Sequence, residues 1–200
     1  AAHYNGKIPR NPFAMYHVDP DHKEREFLTL DELTAMTEIK LEDPNMAFAR
    51  DLFIFGSWTG IAFIDIKNLT EDNITMVNGA PWIVSKRQKT GVPFRIKLLD
   101  IPMQIVERYK SFRNGNHLFN IGNLDSINKR IKKVAVMCGI KKRVSFHVSR
   151  HSWAVLALEY GMPIESVSKI LGHTNITTTQ IYAKVTSSDD SAVSVPSVAV

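Results

Sequence analysis

Residues 146–163 read FHVSRHSWAVLALEYGMP, and this stretch predicts a buried helix together with its end. Four apolar side chains recur at the i, i+3, i+4, i+7 spacing of one helical face: Trp153, Leu156, Ala157 and Tyr160. Gly161 is expected to end this helix, and Pro163 suits the first turn of the next one. The last third of the chain is therefore expected to be helical, with a second helix running to Gly172 and a third over about 174–184.

Helices are also expected in the first two thirds of the chain, around one small sheet. Thr29 and Glu32 form the sequence pattern of a capping box, which predicts a helix that ends near Lys40. Further helical segments are expected at about 46–58, 61–69, 102–112 and 126–138. Residues 73–96 instead alternate as three short antiparallel strands, with turns at Asn78-Gly79 and Thr90-Gly91. The predicted fold class is mainly α with a small antiparallel β-sheet.

Composition excludes several classes of protein. The 200 residues are 44% hydrophobic and 22% charged, which is ordinary for one globular domain. The longest uncharged apolar run lies between Asp51 and Asp65 and is too short to cross a bilayer. Cys138 is the single cysteine, so neither a disulfide framework within the chain nor a metal site built from thiolates is expected. No membrane association is predicted.

Charge is distributed very unevenly along the chain. Residues 83–150 contain 16 of the 25 Lys and Arg residues but only 3 of the 20 Asp and Glu residues. That segment therefore has a net charge of +13, whereas the rest of the chain has −8. Such an asymmetry predicts a surface that binds a polyanion on an otherwise acidic body.

Several short motifs fall in a characteristic order. His147 and Arg150 are three residues apart, so they share a helix face and can converge on one anion. Leu-Gly-His173 follows, and Tyr182 lies nine residues later. This order resembles the C-terminal signature of the tyrosine recombinases, the phage integrase family. Upstream, TGIAFID (59–65) and SKRQKTG (85–91) resemble the family's first-arginine motif and lysine hairpin, most closely as found in integrases of conjugative transposons and other mobile elements.

The resemblance implies an enzyme that breaks and rejoins DNA, with the fold of a tyrosine recombinase catalytic domain. It implies that Tyr182 attacks a phosphodiester and forms a covalent 3′-phosphotyrosyl intermediate. By the same resemblance Arg150 clamps the phosphate, His147 and His173 orient it or move protons, and Lys89 is the general acid. The phosphotyrosine bond conserves the energy of the broken bond, so no cofactor and no metal is expected.

One position departs from the family's pattern. The first arginine of the family would follow Thr-Gly-Ile, and Ala62 stands there, whereas the accompanying acidic residue is retained as Asp65. Either the domain is catalytically damaged or another guanidinium replaces the missing one. Three arginines are candidates: Arg50, Arg87 and Arg95. We favour Arg87, because on a single strand it would share a face with Lys89, two residues away.

The basic residues of the middle segment are expected to contact the DNA backbone around the scissile phosphate, where each contact steepens the salt dependence of binding. Eight side chains form this predicted set: Lys86, Lys129, Arg130, Lys132, Lys133, Lys141, Lys142 and Arg143.

The resemblance also predicts how the chain is organised. Residues 1–28 are expected to be a linker or entry strap from an absent N-terminal DNA-binding domain, 29–184 the catalytic domain, and 185–200 a mobile tail that could dock on a neighbouring protomer. The implied partners are double-stranded DNA, three further copies in a homotetramer on synapsed DNA sites, and accessory DNA-bending proteins. The expected location is the bacterial cytoplasm, in association with the nucleoid.

Two alternative interpretations stay open at this point. The chain could be a catalytically degenerate recombinase that still binds DNA. It could also be a transcriptional regulator in which 163–182 forms a helix-turn-helix with Gly172 in the turn. Against the second alternative, the proposed recognition helix (175–183) contains neither Lys nor Arg.

Overall fold

The computed structural model describes residues 25–113 and 115–188, and it confirms a mainly helical fold with one antiparallel sheet. The helices are α1 (Leu30–Glu38), α2 (Pro44–Thr59), α3 (Phe63–Lys67), α4 (Asp100–Arg108), α5 (Leu124–Met137), α6 (Phe146–Glu159), α7 (Ile164–Leu171) and α8 (Thr177–Ser188). The strands are β1 (Ile74–Val77), β2 (Ala80–Lys86) and β3 (Pro93–Lys97). Single 3₁₀ turns occupy Glu71–Asn73 and Lys110–Phe112.

Side-chain caps begin helices α1 and α2, and a glycine ends α2. The Thr29 side chain accepts a hydrogen bond from the Glu32 amide, and the Glu32 carboxylate accepts one from the Thr29 amide at 2.8 Å, which completes the predicted capping box. Helix α2 begins after Asp43, whose carboxylate caps the Asn45 amide at 2.8 Å. It ends at Gly60, which adopts the left-handed conformation (φ +65°) that glycine tolerates best.

Helix α6 is the centre of the packing. It contacts α2, α5, α7 and α8, and its first ten residues are almost all buried, so they do not form a single buried stripe. Phe146 packs edge-to-face against Phe53 and Phe63, with ring centroids 6.3 and 5.1 Å away. The expectation that Tyr160 is buried is wrong: it caps the end of α6 and is 72% exposed, because the helix emerges from the core there.

The three strands form a sheet in the order β1-β2-β3, with Asn78-Gly79 in the β1–β2 turn as predicted. Ile83 on β2 pairs with Ile96 on β3, and both are buried together with Phe94. One face of the sheet is therefore fixed against the helices. The loop between β2 and β3 is consequently held near the C-terminal end of α7, which packs against β3.

The described residues include only the ends of the predicted flanking segments. Residues 25–28 run along α6, where the Leu28 amide donates to Ser152 Oγ at 2.8 Å and the Leu28 side chain is fully buried. Residues 1–24 and 189–200 lie outside the described part of the chain, while the backbone of 185–188 continues α8. The division into strap, catalytic domain and tail stays a prediction.

Within residues 25–113 and 115–188, no helix has both the length and the apolar character needed to cross a bilayer.

Gly60 lies where the end of α2 packs against α6, so a substitution there measures how tight this contact is. A Cβ at Gly60 would lie 2.5 Å from the Trp153 ring, whereas one at Gly161 would meet nothing within 4 Å. Both glycines have positive φ, so each substitution strains the backbone by about 1–2 kcal/mol. We expect Gly60→Ala to lower the free energy of unfolding by a further 1–3 kcal/mol or so, through the clash. Urea denaturation of Gly60→Ala against Gly161→Ala measures the difference, and equal losses would contradict this packing.

Candidate active site

Arg150 lies at the centre of the site and is held by backbone carbonyls. It is on α6, where its Nη1 donates to the Gly60 carbonyl at 2.8 Å and its Nη2 donates to the Leu171 carbonyl. These carbonyls lie at the C-terminal ends of α2 and α7, which favour a positive charge. Burial, and then the charge of Arg87, lower the pKa of Arg150 to about 10, so the guanidinium stays protonated at neutral pH.

Arg87 is buried beside Arg150. Its Nη1 donates to Asp65 Oδ2 at 2.9 Å, its Nη2 donates to the Ile170 carbonyl, and its Cζ lies 4.1 Å from the centre of the Phe94 ring. The other Asp65 oxygen accepts from the Gln88 amide at 2.8 Å. Burial lowers the pKa of Arg87 from its ordinary value, and the Asp65 carboxylate opposes that shift. Asp65 thus orients Arg87 by holding both its side chain and the adjacent backbone.

The route by which Arg87 reaches this site differs from the prediction. Strand β2 ends at Lys86, so Arg87 and Lys89 do not share a strand face, and that expectation is wrong. Arg87 instead begins a tight turn, in which its amide donates to the Val92 carbonyl at 2.9 Å and its carbonyl accepts from the Gly91 amide at 2.8 Å. The turn directs Arg87 inward and leaves Lys89 exposed.

Two histidines lie close to the arginines. His173 Nδ1 is 2.9 Å from Thr179 Oγ1. Burial, followed by the positive charge of Arg150, lowers the pKa of His173 to about 4. Partial desolvation and then Arg150 likewise lower the pKa of His147, although its side chain is exposed. Both shifts favour the neutral imidazole in the DNA-free protein, and the negative charge of a bound phosphate would oppose them.

Tyr182 is brought into the same cluster by α8. Its side chain is only 3% exposed, and its hydroxyl accepts a hydrogen bond from Arg25 Nη1 at 3.2 Å. The Tyr182 ring centre is 5.5 Å from that of His151, which in turn is 4.4 Å from that of His147. The structure thus brings together Arg150 and His147 of α6, His173 after α7, Tyr182 of α8 and Arg87 of the β2–β3 loop.

The other two candidates for the missing guanidinium lie elsewhere. Arg50 is bound to Asp51 at 2.5 Å and donates to three carbonyls at the C-terminal end of α1. Arg95 lies on the exposed face of β3. Ala62 precedes α3 and lines a cavity of about 290 Å³ together with His147 and Arg150. Of the three arginines, Arg87 is the one that adjoins Arg150.

Most of the predicted DNA-contacting residues are on the surface. Six have exposed side chains: Lys86, Lys129, Lys132, Lys133, Lys141 and Arg143. The other two are engaged within the chain. Lys142 Nζ lies 2.6 Å from Glu32 Oε2 and 5.1 Å from the centre of the Phe27 ring, and Arg130 donates to Ser126 Oγ. Contact of this set with DNA stays a prediction.

Sequence reasoning missed two members of the site. Arg25 lies in a segment without helical or strand periodicity, so no pattern pointed to it. His151 directly follows Arg150; its Nδ1 lies 3.2 Å from the Glu26 carbonyl, and its ring lies beside Tyr182. Only tertiary structure reveals either role. Among the described residues, no cluster of three or more His, Cys, Asp or Glu side chains could hold a metal ion.

This fold is the one found in the catalytic domains of solved integrases. A lambda integrase dimer bound to a COC′ core site superposes with a TM-score of 0.73 at 17% identity, covering 99% of this chain and 72% of that one. The Tn1549 transposon integrase in complex with circular intermediate DNA gives a TM-score of 0.71 at 19% identity, covering 90% and 69%. The chain therefore has a tyrosine recombinase fold.

Residues 26–189 match the phage integrase family, and the chain belongs to that family. Among its relatives, the tyrosine recombinase XerC of Natranaerobius thermophilus is 28% identical over 196 residues, which cover 90% of this chain and 65% of the relative. The XerC of Yersinia pestis is 26% identical over 162 residues, which cover 78% and 54%. The chain thus spans between about half and two thirds of the length of these relatives.

The lowered histidine pKa values predict acid sensitivity. Burial, and then His147, lower the pKa of His151 from 6.5 to about 4. Between these two pH values the unfolded chain binds a proton that the folded chain excludes, so stability falls as the pH falls from about 6.5 to about 4. We expect His151→Gln to weaken that pH dependence in urea denaturation, relative to the unaltered chain. A slope unaffected by His151→Gln would contradict the assignment.

Proposed function

We propose that the protein is a site-specific DNA recombinase or integrase that cuts and rejoins DNA through Tyr182. The observation that carries this proposal is the convergence of Arg150, Arg87, His147 and His173 around one buried tyrosine. A site with two adjacent guanidinium groups and one buried carboxylate has an excess of positive charge. A phosphodiester supplies the missing negative charge and has oxygens that match the planar donor geometry of arginine.

The reaction exchanges one phosphate ester bond for another at the same phosphorus atom. The Tyr182 oxygen forms a bond to phosphorus while the bond from phosphorus to the 5′-oxygen breaks, which leaves a 3′-phosphotyrosyl linkage and a free 5′-hydroxyl. Arg150 and Arg87 stabilise the negative charge that develops on the non-bridging oxygens. Neutral His147 and His173 orient the phosphate or accept the tyrosine proton, and Lys89 protonates the leaving oxygen. Attack by a 5′-hydroxyl from another strand reverses the chemistry and rejoins the DNA.

We assign to Arg87 the role of the family's first arginine, whose place in the sequence motif is taken here by Ala62. Arg87 is oriented by Asp65, the acidic residue of the same sequence motif as Ala62, and it binds the carbonyl next to the one that Arg150 binds. Although Ala62 precedes α3 in place of an arginine, the site still contains a second arginine, which the β2–β3 loop supplies. This placement favours an active enzyme over the degenerate recombinase that Ala62 alone suggests.

The proposed substrate is double-stranded DNA. Its backbone would contact the exposed lysines and arginines of α5 and of residues 141–143, together with Lys86. Assembly as a homotetramer on two synapsed sites, assisted by DNA-bending proteins, belongs to the same proposal, as does action in the bacterial cytoplasm, where the nucleoid lies. The helix-turn-helix alternative is disfavoured, because α8 packs on α6 with Tyr182 buried.

Covalent trapping tests the proposed function. The protein is incubated with a pool of nicked duplexes whose sequence is randomised around the nick, and adducts are resolved on denaturing gels. We expect an adduct with the unaltered chain and none with Tyr182→Phe, because the phenyl ring lacks the attacking oxygen. DNA binding by both proteins without any adduct would instead support a degenerate, DNA-binding recombinase.

Arg87 is tested in the same assay. We expect Arg87→Ala to slow adduct formation by about 10²–10³-fold, the usual cost of removing one preorganised donor. Arg95→Ala, which removes an exposed arginine of the neighbouring strand, is the matched control and should react normally.

Loss of Arg87 also leaves Asp65 charged and buried, which costs about 3–5 kcal/mol of stability. The double variant Arg87→Ala/Asp65→Ala removes that unpaired charge and should still fold while reacting slowly. Adduct formation by this folded double variant at the original rate would contradict the role of Arg87.

A further inference from the structure

The segment that precedes the first helix reaches the attacking atom of the proposed reaction. Arg25 Nη1 donates to the Tyr182 hydroxyl oxygen at 3.2 Å across 157 positions of sequence, and its Cζ lies 5.8 Å from the centre of the tyrosine ring. The Tyr182 side chain is 3% exposed. A donor on that oxygen therefore strongly influences where it points and how its charge changes during the reaction.

The segment is anchored so that this contact is reproducible. The Glu26 carbonyl lies 3.2 Å from His151 Nδ1, and a carbonyl can only accept, so that imidazole nitrogen carries the hydrogen. The Leu28 amide donates to Ser152 Oγ at 2.8 Å, and the Leu28 side chain is fully buried. Residues 26–28 are thus fixed to His151 and Ser152, the two residues of α6 that follow Arg150. This anchoring holds Arg25 over the Tyr182 hydroxyl.

Arg25 has no carboxylate to neutralise it among the residues that the structure describes. Its charge instead acts on His147, His151 and His173, where it helps to lower each pKa. A bound anion would offset the repulsion between Arg25 and the neighbouring positive charges.

We propose that Arg25 is a further catalytic residue, which holds the Tyr182 oxygen in position and stabilises the charge on it and on the scissile phosphate during attack. A guanidinium has five N–H donors in one plane and no acceptor. One N–H can stay on the tyrosine oxygen while another reaches a non-bridging phosphate oxygen. Arg25 cannot take the tyrosine proton, so that proton leaves to a different group. This inference rests on the proposed function.

Two measurements on the full 200-residue chain test it. The first is the single-turnover rate of adduct formation at saturating nicked DNA, for which we expect a loss of about 10²-fold in Arg25→Ala and partial recovery in Arg25→Lys, which keeps a point charge but not the planar donor pair. Glu26→Ala is the matched control, because it removes an exposed neighbouring side chain and keeps the carbonyl that His151 contacts.

The second measurement does not depend on activity. The five tyrosines are labelled with ¹³C at Cζ, and the Tyr182 resonance is assigned from its loss in Tyr182→Phe. We expect that resonance to shift in Arg25→Ala without DNA and to stay in place in Glu26→Ala. An unshifted resonance in Arg25→Ala contradicts the contact itself.

The outcomes separate the two proposals. Unchanged or faster adduct formation by Arg25→Ala overturns the catalytic role of Arg25 while leaving the proposed function intact; the faster rate would show that Arg25 restrains the nucleophile. Absence of any adduct with the unaltered chain contradicts the proposed function, and the catalytic role of Arg25 falls with it. A shifted resonance together with the slower, lysine-rescued rate supports the inference.

Discussion

Two arginines share the C-terminal end of α7, and the architecture of the site depends on how their charges are tolerated there. Arg150 and Arg87 donate to the consecutive carbonyls of Leu171 and Ile170, and Asp65 is the carboxylate that accompanies them. Burying charge is costly unless it is paired and hydrogen-bonded. The ends of α2 and α7, the β2–β3 loop and α3 must therefore meet within a few ångströms, which fixes the packing of the sheet against the C-terminal helices.

Under the proposed function, this constraint accounts for the alanine at the start of α3. A phosphate requires a guanidinium at a given point in space, and it does not matter from which strand or helix that group comes. Arg87 reaches this point because the turn after β2 directs it inward onto Asp65. Asp65, the acidic residue of the motif, orients an arginine from another element.

Local pattern was sufficient for much of this structure. The capping box at Thr29, the end of a helix at Gly172, and the Asn78-Gly79 turn each follow from the chemistry of a few adjacent residues, and all appear as expected. Strand alternation was the wrong argument for Arg87, because β2 ends one residue earlier and a turn decides the direction of the side chain. Tyr160 fitted the helical period, yet α6 leaves the core before reaching it.

What local pattern cannot supply is contact between distant parts of the chain. Arg25 lies on Tyr182 because Leu28 fills the core and Ser152 binds its amide, and neither condition is visible in the residues around position 25. The histidine pKa values have the same origin, since desolvation and the charges of several elements together lower them. The cluster is thus a product of the tertiary fold, and its unbalanced positive charge makes an anionic ligand the natural completion of the site. A phosphate bound there would stabilise the fold as well as react, because it would bind the folded cluster and find no such cluster in the unfolded chain.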